Sequence, residues 1–232
     1  MADLLDRLRA LPVPTLSACL YAEGYPNAFI AGLAPLDPVR VRFAGPARTL
    51  RAIPVRPDQL RAVQEGQAPN MHRQALAVLR HGDVLVTDTG GAEGVSLFGE
   101  IITTFLHGRG VAAIVTDAGI ADVVDVGPIG LPIFARGSAP VPGPAQVLVS
   151  DVDRPIACRG VPVYPGDLVV GDGNGVVVIP EQLAETIAAK AEAKEELERF
   201  LLARVRDGAP LDGTYPPDAA TLEAFARSRQ AG

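Results

Sequence analysis

The sequence predicts an α/β fold, and three patterns carry that prediction. Between Met71 and Ala135, apolar stretches of helical spacing alternate with short β-branched runs, the rhythm of strands joined by helices. After Gln146 the chain changes to short strands divided by Gly, Pro and Asp turns. From Pro180 one long helical stretch carries Leu183, Ile187, Ala191, Leu197, Leu201 and Leu202 near one face, with charges at Glu192, Lys194, Glu195, Glu196 and Glu198 along its flank. With 232 residues and 48% hydrophobic content the chain can bury one sizeable core. The expected organisation is one domain over 1–180, followed by a C-terminal helix and extended tail over 181–232 that packs on its own domain or on a neighbouring subunit.

The elements follow in order. Leu4 to Ala10 reads as a short amphipathic helix stopped by Pro12, and Thr15 is placed to cap a second helix carrying Leu16, Cys19 and Leu20. From Val39 to Ile53 the alternation around Gly45-Pro46 predicts strand, turn, strand. Pro57 to Pro69 reads as a polar insertion whose structure the sequence leaves open. Met71 to Leu79 has helical spacing, and Gly82-Asp83 turns the chain into a strand at Val84–Thr87. A helix over Leu97–His107, a strand over Val111–Thr116, a helical turn near Asp122 and a strand at Ile133–Ala135 come next. Strands at Val147–Val149, Ile156–Cys158, Leu168–Val170 and Val176–Ile179 complete the domain. Pro180-Glu181 starts the long helix, and Gly208 to Gly232 is expected to be extended.

Composition removes several function classes. A net charge of −6 without any Lys/Arg run argues against a nucleic-acid partner, which needs a concentrated basic surface. Arg40, Arg42, Arg48, Arg51 and Arg56 are interleaved with apolar residues, as on the solvent face of an alternating strand, with the alternative that one of them faces a ligand. Cys19 and Cys158 belong to no C-x-x-C pattern, so a reduced, cytoplasmic setting is the simplest account. No apolar run is long enough to span a bilayer, and the N-terminus lacks a signal-peptide core. His72, His81 and His107 are dispersed without the i, i+4 spacing of a helical zinc site. The Gly-rich stretches 90–94 and 171–175 match no nucleotide-binding pattern and read as tight turns.

The chemistry concentrates between Gly99 and Gly137. The strand Val111–Thr116 ends in Asp117-Ala118-Gly119-Ile120-Ala121-Asp122, which would deliver Asp117 and Asp122 to one rim. A helix starting at Gly99-Glu100 points unpaired N–H groups at the same rim. Carboxylates there can hold a hard divalent cation while the N–H groups take an anionic substrate's oxygens, an enolate-stabilising arrangement. Asp117 and Glu100 are the catalytic candidates. Their structural alternatives are an aspartate that satisfies backbone donors and a first-turn glutamate that complements a helix dipole. Asp125 is either on the helix face of Asp122 or solvated.

These residues resemble a known family. Gly82-Asp83-Val84-Leu85-Val86, Gly99-Glu100, Arg109-Gly110-Val111-Ala112, the 117–122 hexad, Leu131-Pro132-Ile133-Phe134-Ala135-Arg136-Gly137 and Pro165-Gly166-Asp167-Leu168-Val169-Val170 occur in that order. So do Gly45-Pro46-Ala47-Arg48-Thr49 and Gly175-Val176-Val177-Val178-Ile179-Pro180. This is similar to the 4-hydroxy-4-methyl-2-oxoglutarate aldolase and RraA-like family from about Leu16 to Ile179. The resemblance implies a layered β/β/α fold like the swivelling phosphohistidine domain, and trimeric rings, or hexamers, with sites between subunits. It also implies a divalent-metal-dependent lyase acting on a 2-oxo acid, by aldol cleavage or oxaloacetate decarboxylation. By the same resemblance Asp122 would hold Mg²⁺ or Mn²⁺ and Glu100 would orient a metal-bound water. Gly99, Ile101 and Ile102 would receive the substrate's oxygens, and Asn70-Met71-His72 would lie near a polar turn facing the site. Catalytic members read Asp-Gly-x-x-Arg-Asp, and Ala121 stands here at the position of the arginine that grips the substrate carboxylate. Arg48, Arg109 and Arg136 are candidates to replace it. The alternatives are the same scaffold with a non-pyruvyl substrate, or a non-catalytic regulator of ribonuclease E.

Overall fold

The computed structural model describes residues 2–39 and 41–230. Arg40 of the basic stretch and the last two tail positions, Ala231 and Gly232, lie outside the described residues. The chain begins with α1 (Ala2–Ala10) and α2 (Val13–Ala22), then β1 (Ala34–Pro35) and β2 (Phe43–Pro54). Next come α3 (Pro57–Gln64), α4 (Met71–Val78), β3 (Val84–Asp88), β4 (Val95–Ser96), α5 (Glu100–Gly108), β5 (Ala113–Thr116), α6 (Val123–Val126) and β6 (Ile133–Ala135). Short strands β7 (Val141–Pro142), β8 (Val147–Val152), β9 (Ile156–Cys158), β10 (Val161–Val163), β11 (Leu168–Asp172) and β12 (Gly175–Ile179) precede α7 (Ala184–Arg206) and α8 (Ala219–Gln230).

The main sheet runs β1-β6-β5-β3-β2-β11-β12, with β8 also pairing β2. Its centre, β2-β3-β5-β6, is parallel, each return to the sheet passing through helix, while β1, β8, β11 and β12 join antiparallel. Side chains alternate between two buried faces, as a covered parallel sheet requires. Leu85 and Ile114 point to the cluster formed with Leu79 of the α4–β3 connection, Leu106 of α5 and Val126 of α6. Val84, Val86, Ala113 and Val115 point to the opposite cluster with Ile156, Cys158, Val161 and Val163 of the β9–β10 pair. Each buried Val, Leu or Ile side chain among these contributes about 1.5–3 kcal/mol. The result is a β/β/α layering, the fold class expected. A third cluster packs α1, α2 and the first half of α7 on β11 and β12 through Leu8, Leu16, Leu20, Ile187, Ala188 and Ala191.

Three expectations change, and one segment whose structure was open takes shape. Gly45-Pro46 is no turn: β2 runs straight through it, pairing Ala44, Gly45 and Pro46 with Val170, Val169 and Leu168. The glycine is needed because a Cβ there would fall 2.1 Å from the Gly82 carbonyl oxygen. Thr15 does not cap α2; the helix starts earlier with Pro14 in its first turn, and the Asp172 carboxylate accepts from Val13 N at 3.0 Å. The Thr15 hydroxyl instead donates to Glu195 of α7. The insertion at Pro57 forms α3. The tail is not extended throughout: Asp218 accepts from Thr221 N at 2.7 Å and α8 follows, stacking Phe225 on Phe200 of α7 at 5.4 Å and pairing Arg229 with Glu196 at 3.0 Å. Among the described residues no helix is long and apolar enough to cross a membrane.

Candidate functional site

Strands β3, β5 and β6 run parallel, so the loops leaving their C-terminal ends gather on one side, the usual place for a ligand in such sheets. The loop after β3 ends in α5, whose N-cap is Gly99. The loop after β5 is the 117–122 hexad. The two meet where Glu100 N donates to Asp122 Oδ2 at 3.2 Å. Gly99 permits the contact, since a Cβ there would fall 2.5 Å from that same oxygen. Asp122 has φ 52 and ψ 38, a left-handed conformation, and its side chain does not cap α6, the helix it precedes. It serves the neighbouring helix instead.

The amides of Ile101 and Ile102 have no acceptor among the described residues; the first return bond of α5 is Thr103 N to Gly99 O at 3.0 Å. The Ile101 side chain is 86% exposed. Glu100 and Asp122 are both exposed, and neither the Glu100 carboxylate nor Asp122 Oδ1 has a partner among the described residues. Asp122, Gly99, Glu100, Ile101 and Ile102 are thus brought together.

Asp117 is not part of that group. It is 1% exposed, and its carboxylate accepts from Thr89 N at 2.8 Å, Thr89 Oγ1 at 2.8 Å and Gly91 N at 2.9 Å. A carboxylate so saturated anchors the Gly90-Gly91 turn, where both glycines have positive φ. The expectation that Asp117 would share a rim with Asp122 and act in catalysis is corrected on that ground: the strand ends by turning this side chain inward.

Among the described residues no group of three or more His, Cys, Asp or Glu is arranged to hold a metal ion. A cation here would take the open oxygen of Asp122 and complete its shell with water. That donor set fits Mg²⁺ or Mn²⁺, which keep several waters, and does not fit a zinc site with three or four protein ligands.

Beside Asp122 lies a cleft of about 370 Å³ lined by Ala121, Val123, Ser138 and Pro140. The three arginines considered as substitutes at position 121 are engaged elsewhere. Arg48 forks onto Asp153, Arg109 donates to Leu79 O at 2.8 Å and lies over the Phe105 ring, and Arg136 pairs with Glu93. Arg42, Arg51 and Arg56 likewise bond within the chain.

A second cleft, of about 480 Å³, opens between α4 and the first turns of α5. Asn70, His72 and Arg73 line it on one side, Ile101, Ile102 and Phe105 on the other. His72 Nε2 is buried without a hydrogen-bond partner among the described residues, the ring tilted against Phe98 at 5.8 Å. Burial, and then the nearby Arg73 charge, push the His72 pKa below its ordinary value and keep the ring neutral. Arg73 was not singled out from the sequence; only its place in the turn opened by Asn70 hinted at this side of the molecule.

Residues 2–178 match the family profile described as Aldolase/RraA, RraA-like. A Halalkalibacterium halodurans protein provisionally named 4-hydroxy-4-methyl-2-oxoglutarate aldolase is 30% identical over 194 residues, 83% of this chain and 84% of that one. The 4-hydroxy-4-methyl-2-oxoglutarate aldolase of Thermus thermophilus is 29% identical over 142 residues, covering 61% of this chain and 78% of its own. Among solved structures, an uncharacterised Pseudomonas syringae protein superimposes with a TM-score of 0.81 at 26% identity, over 94% of this chain and 95% of that one. Streptomyces coelicolor RraAS2, titled an unusual member of the RNase ES inhibitor RraA family, gives 0.77 at 30% identity, over 86% and 96%. On the span of the family match and the agreement of the fold, the chain belongs to the RraA-like Aldolase/RraA family.

Proposed function

We propose that this protein is an aldolase-like lyase that cleaves a 2-oxo acid with the help of Mg²⁺ or Mn²⁺, by aldol cleavage of a 4-hydroxy-2-oxo acid or by oxaloacetate decarboxylation. The observation that carries the reading is the Asp122 carboxylate fixed on the N-terminus of α5 with one oxygen open, beside two unpaired amides. Bound at Asp122, the cation supplies Lewis-acid polarisation of the 2-oxo group. The Ile101 and Ile102 amides bind substrate oxygens, aided by the positive end of the helix dipole. Aldol cleavage removes the C4 hydroxyl proton, breaks C3–C4 and returns a proton to C3; Glu100, exposed and unpaired at the same turn, is the carboxylate placed to hold that proton. Val124, 82% exposed, leaves apolar surface close to Asp122 that a trimer or hexamer would cover.

Ala121 favours a second reading, in which the same scaffold and metal handle a substrate without the carboxylate that the family arginine grips. The test is NMR of pyruvate methyl-proton exchange into deuterated water, with Mg²⁺ or Mn²⁺, for wild type and Asp122→Asn. Metal-dependent exchange that the variant loses supports the lyase. Its absence from wild type refutes the pyruvyl reading and turns attention to the non-pyruvyl substrate or to a regulatory, non-catalytic role.

A further inference from the structure

We infer that the cleft between α4 and α5 is a subsite for a carboxylate carrying an apolar arm, with Arg73 as its charged clamp. The chain as a whole carries a net charge of −6, yet no Asp or Glu lines this cleft. What lines it is a set of donors. The Arg73 guanidinium makes no hydrogen bond or ion pair within the described residues. The Asn70 side-chain oxygen is spent on Arg73 N at 3.0 Å, which leaves its Nδ2 amino group for a ligand. His72 adds a buried Nε2 with no partner among the described residues, a donor in the tautomer protonated there. The opposite wall is apolar, formed by Ile102 and the half-exposed Phe105, with Leu76 at the base. A donor-lined, acid-free side facing an aliphatic and aromatic side selects an anion attached to a hydrocarbon.

Arg73 is also misplaced for stability. It stands in the first turn of α4, which holds no acidic residue, so its charge opposes the positive end of the helix dipole. Arg73 is exposed and unpaired among the described residues, so its charge is free to meet a ligand in the cleft it lines. The same cleft is walled by Ile101 and Ile102 of the first turn of α5, so an anion held by Arg73 lies against the helix whose N-terminus Asp122 contacts. This deepens the lyase reading and rests on it for the reaction, though not for the binding.

The test is binding of 4-methyl-2-oxopentanoate to metal-free protein, followed by amide chemical shifts of Ile101 and Ile102, alongside the exchange assay. Wild type should saturate, and Arg73→Gln should weaken binding at least tenfold while the unfolding midpoint rises or stays level. Arg73→Lys should fall between them. The neutral ketone 4-methyl-2-pentanone should not saturate, and Phe105→Ser should weaken 4-methyl-2-oxopentanoate more than pyruvate. Binding unchanged within twofold in Arg73→Gln, or no saturable binding by wild type, overturns the inference. Arg73-dependent binding without metal-dependent exchange leaves the subsite standing and refutes the lyase. Exchange that survives Arg73→Gln together with unchanged binding refutes the subsite and leaves the lyase.

Discussion

Asp117→Asn separates an anchoring aspartate from a catalytic one. In the native protein Oδ1 accepts two hydrogen bonds from Thr89 and Oδ2 accepts one from Gly91 N, all at 2.8–2.9 Å and at 1% exposure. An asparagine that keeps its oxygen towards Thr89 turns an NH₂ group onto the Gly91 N–H, so one charge-assisted bond is lost and a donor is left facing a donor. Bonds to a buried charge are worth about 1.5–3 kcal/mol each, which puts the expected loss near 2–3 kcal/mol. For a chain of this length that is a drop of about 4–12 °C in Tm. Urea and thermal unfolding at matched protein concentration measure it, with methyl-proton exchange recorded at 25 °C where the variant is still folded. Unfolding within 0.5 kcal/mol of wild type, combined with a hundredfold loss of exchange, would refute the anchoring role and restore Asp117 to the chemistry.

Two further outcomes follow from the site and its surroundings. Gly99→Ala places a methyl 2.5 Å from Asp122 Oδ2, and restoring a 3.4 Å contact moves that carboxylate by about 0.9 Å. Exchange should fall on the order of 100-fold while stability changes by about 1 kcal/mol or less, and retention of wild-type exchange would count against the geometry assigned to Asp122. His72 is neutral in the fold because burial lowers its pKa below the ordinary 6.5, so the unfolded chain takes up the proton first as pH falls. Stability should therefore be flat above about pH 7.5 and decline below about 6.5 until the folded-state pKa is passed. The decline, read from urea midpoints at pH 7.5 and 5.5, should shrink in His72→Gln, and an identical decline in that variant would assign it to other groups.

Local pattern made the central layers legible. The β-branched runs that became β3 and β5 are short and bounded by Gly or by polar turn residues, and their alternation reports two covered faces without any knowledge of what covers them. What stayed hidden depended on partners far along the chain. Gly45-Pro46 carries the local signature of a turn, but the carbonyl of Gly82 and the strand at 168–171 hold it extended. The tail reads as loop through Pro216-Pro217, yet Phe200 and Glu196 give α8 a surface to dock on. Asp117 reads as a rim residue because nothing near it reveals donors at positions 89 and 91. Arg73 was invisible for the opposite reason. Its significance is that it lines the cleft without a partner among the described residues, which only the fold displays.

The hexad 117–122 and Asp125 show how backbone conformation, rather than residue type, divides labour among neighbouring carboxylates. Asp117 continues directly from β5, so its side chain keeps the inward direction of a strand residue and is consumed by the preceding loop. Asp122 adopts a left-handed conformation that costs a non-glycine residue about 1–2 kcal/mol. It is held there from both sides: Ala121 N bonds to Phe98 O at 3.0 Å, and Asp122 O accepts from Asp125 N at 2.9 Å and Val126 N at 2.8 Å. An extended backbone at 122 would let the carboxylate cap α6, the ordinary use of aspartate at such a junction. The left-handed turn denies it that use, sends it across to α5 and leaves one oxygen open. Asp125, on α6 itself, stays in solvent. Bonds on both sides hold Asp122 in that conformation and so keep its carboxylate aimed at the N-terminus of α5 rather than at α6.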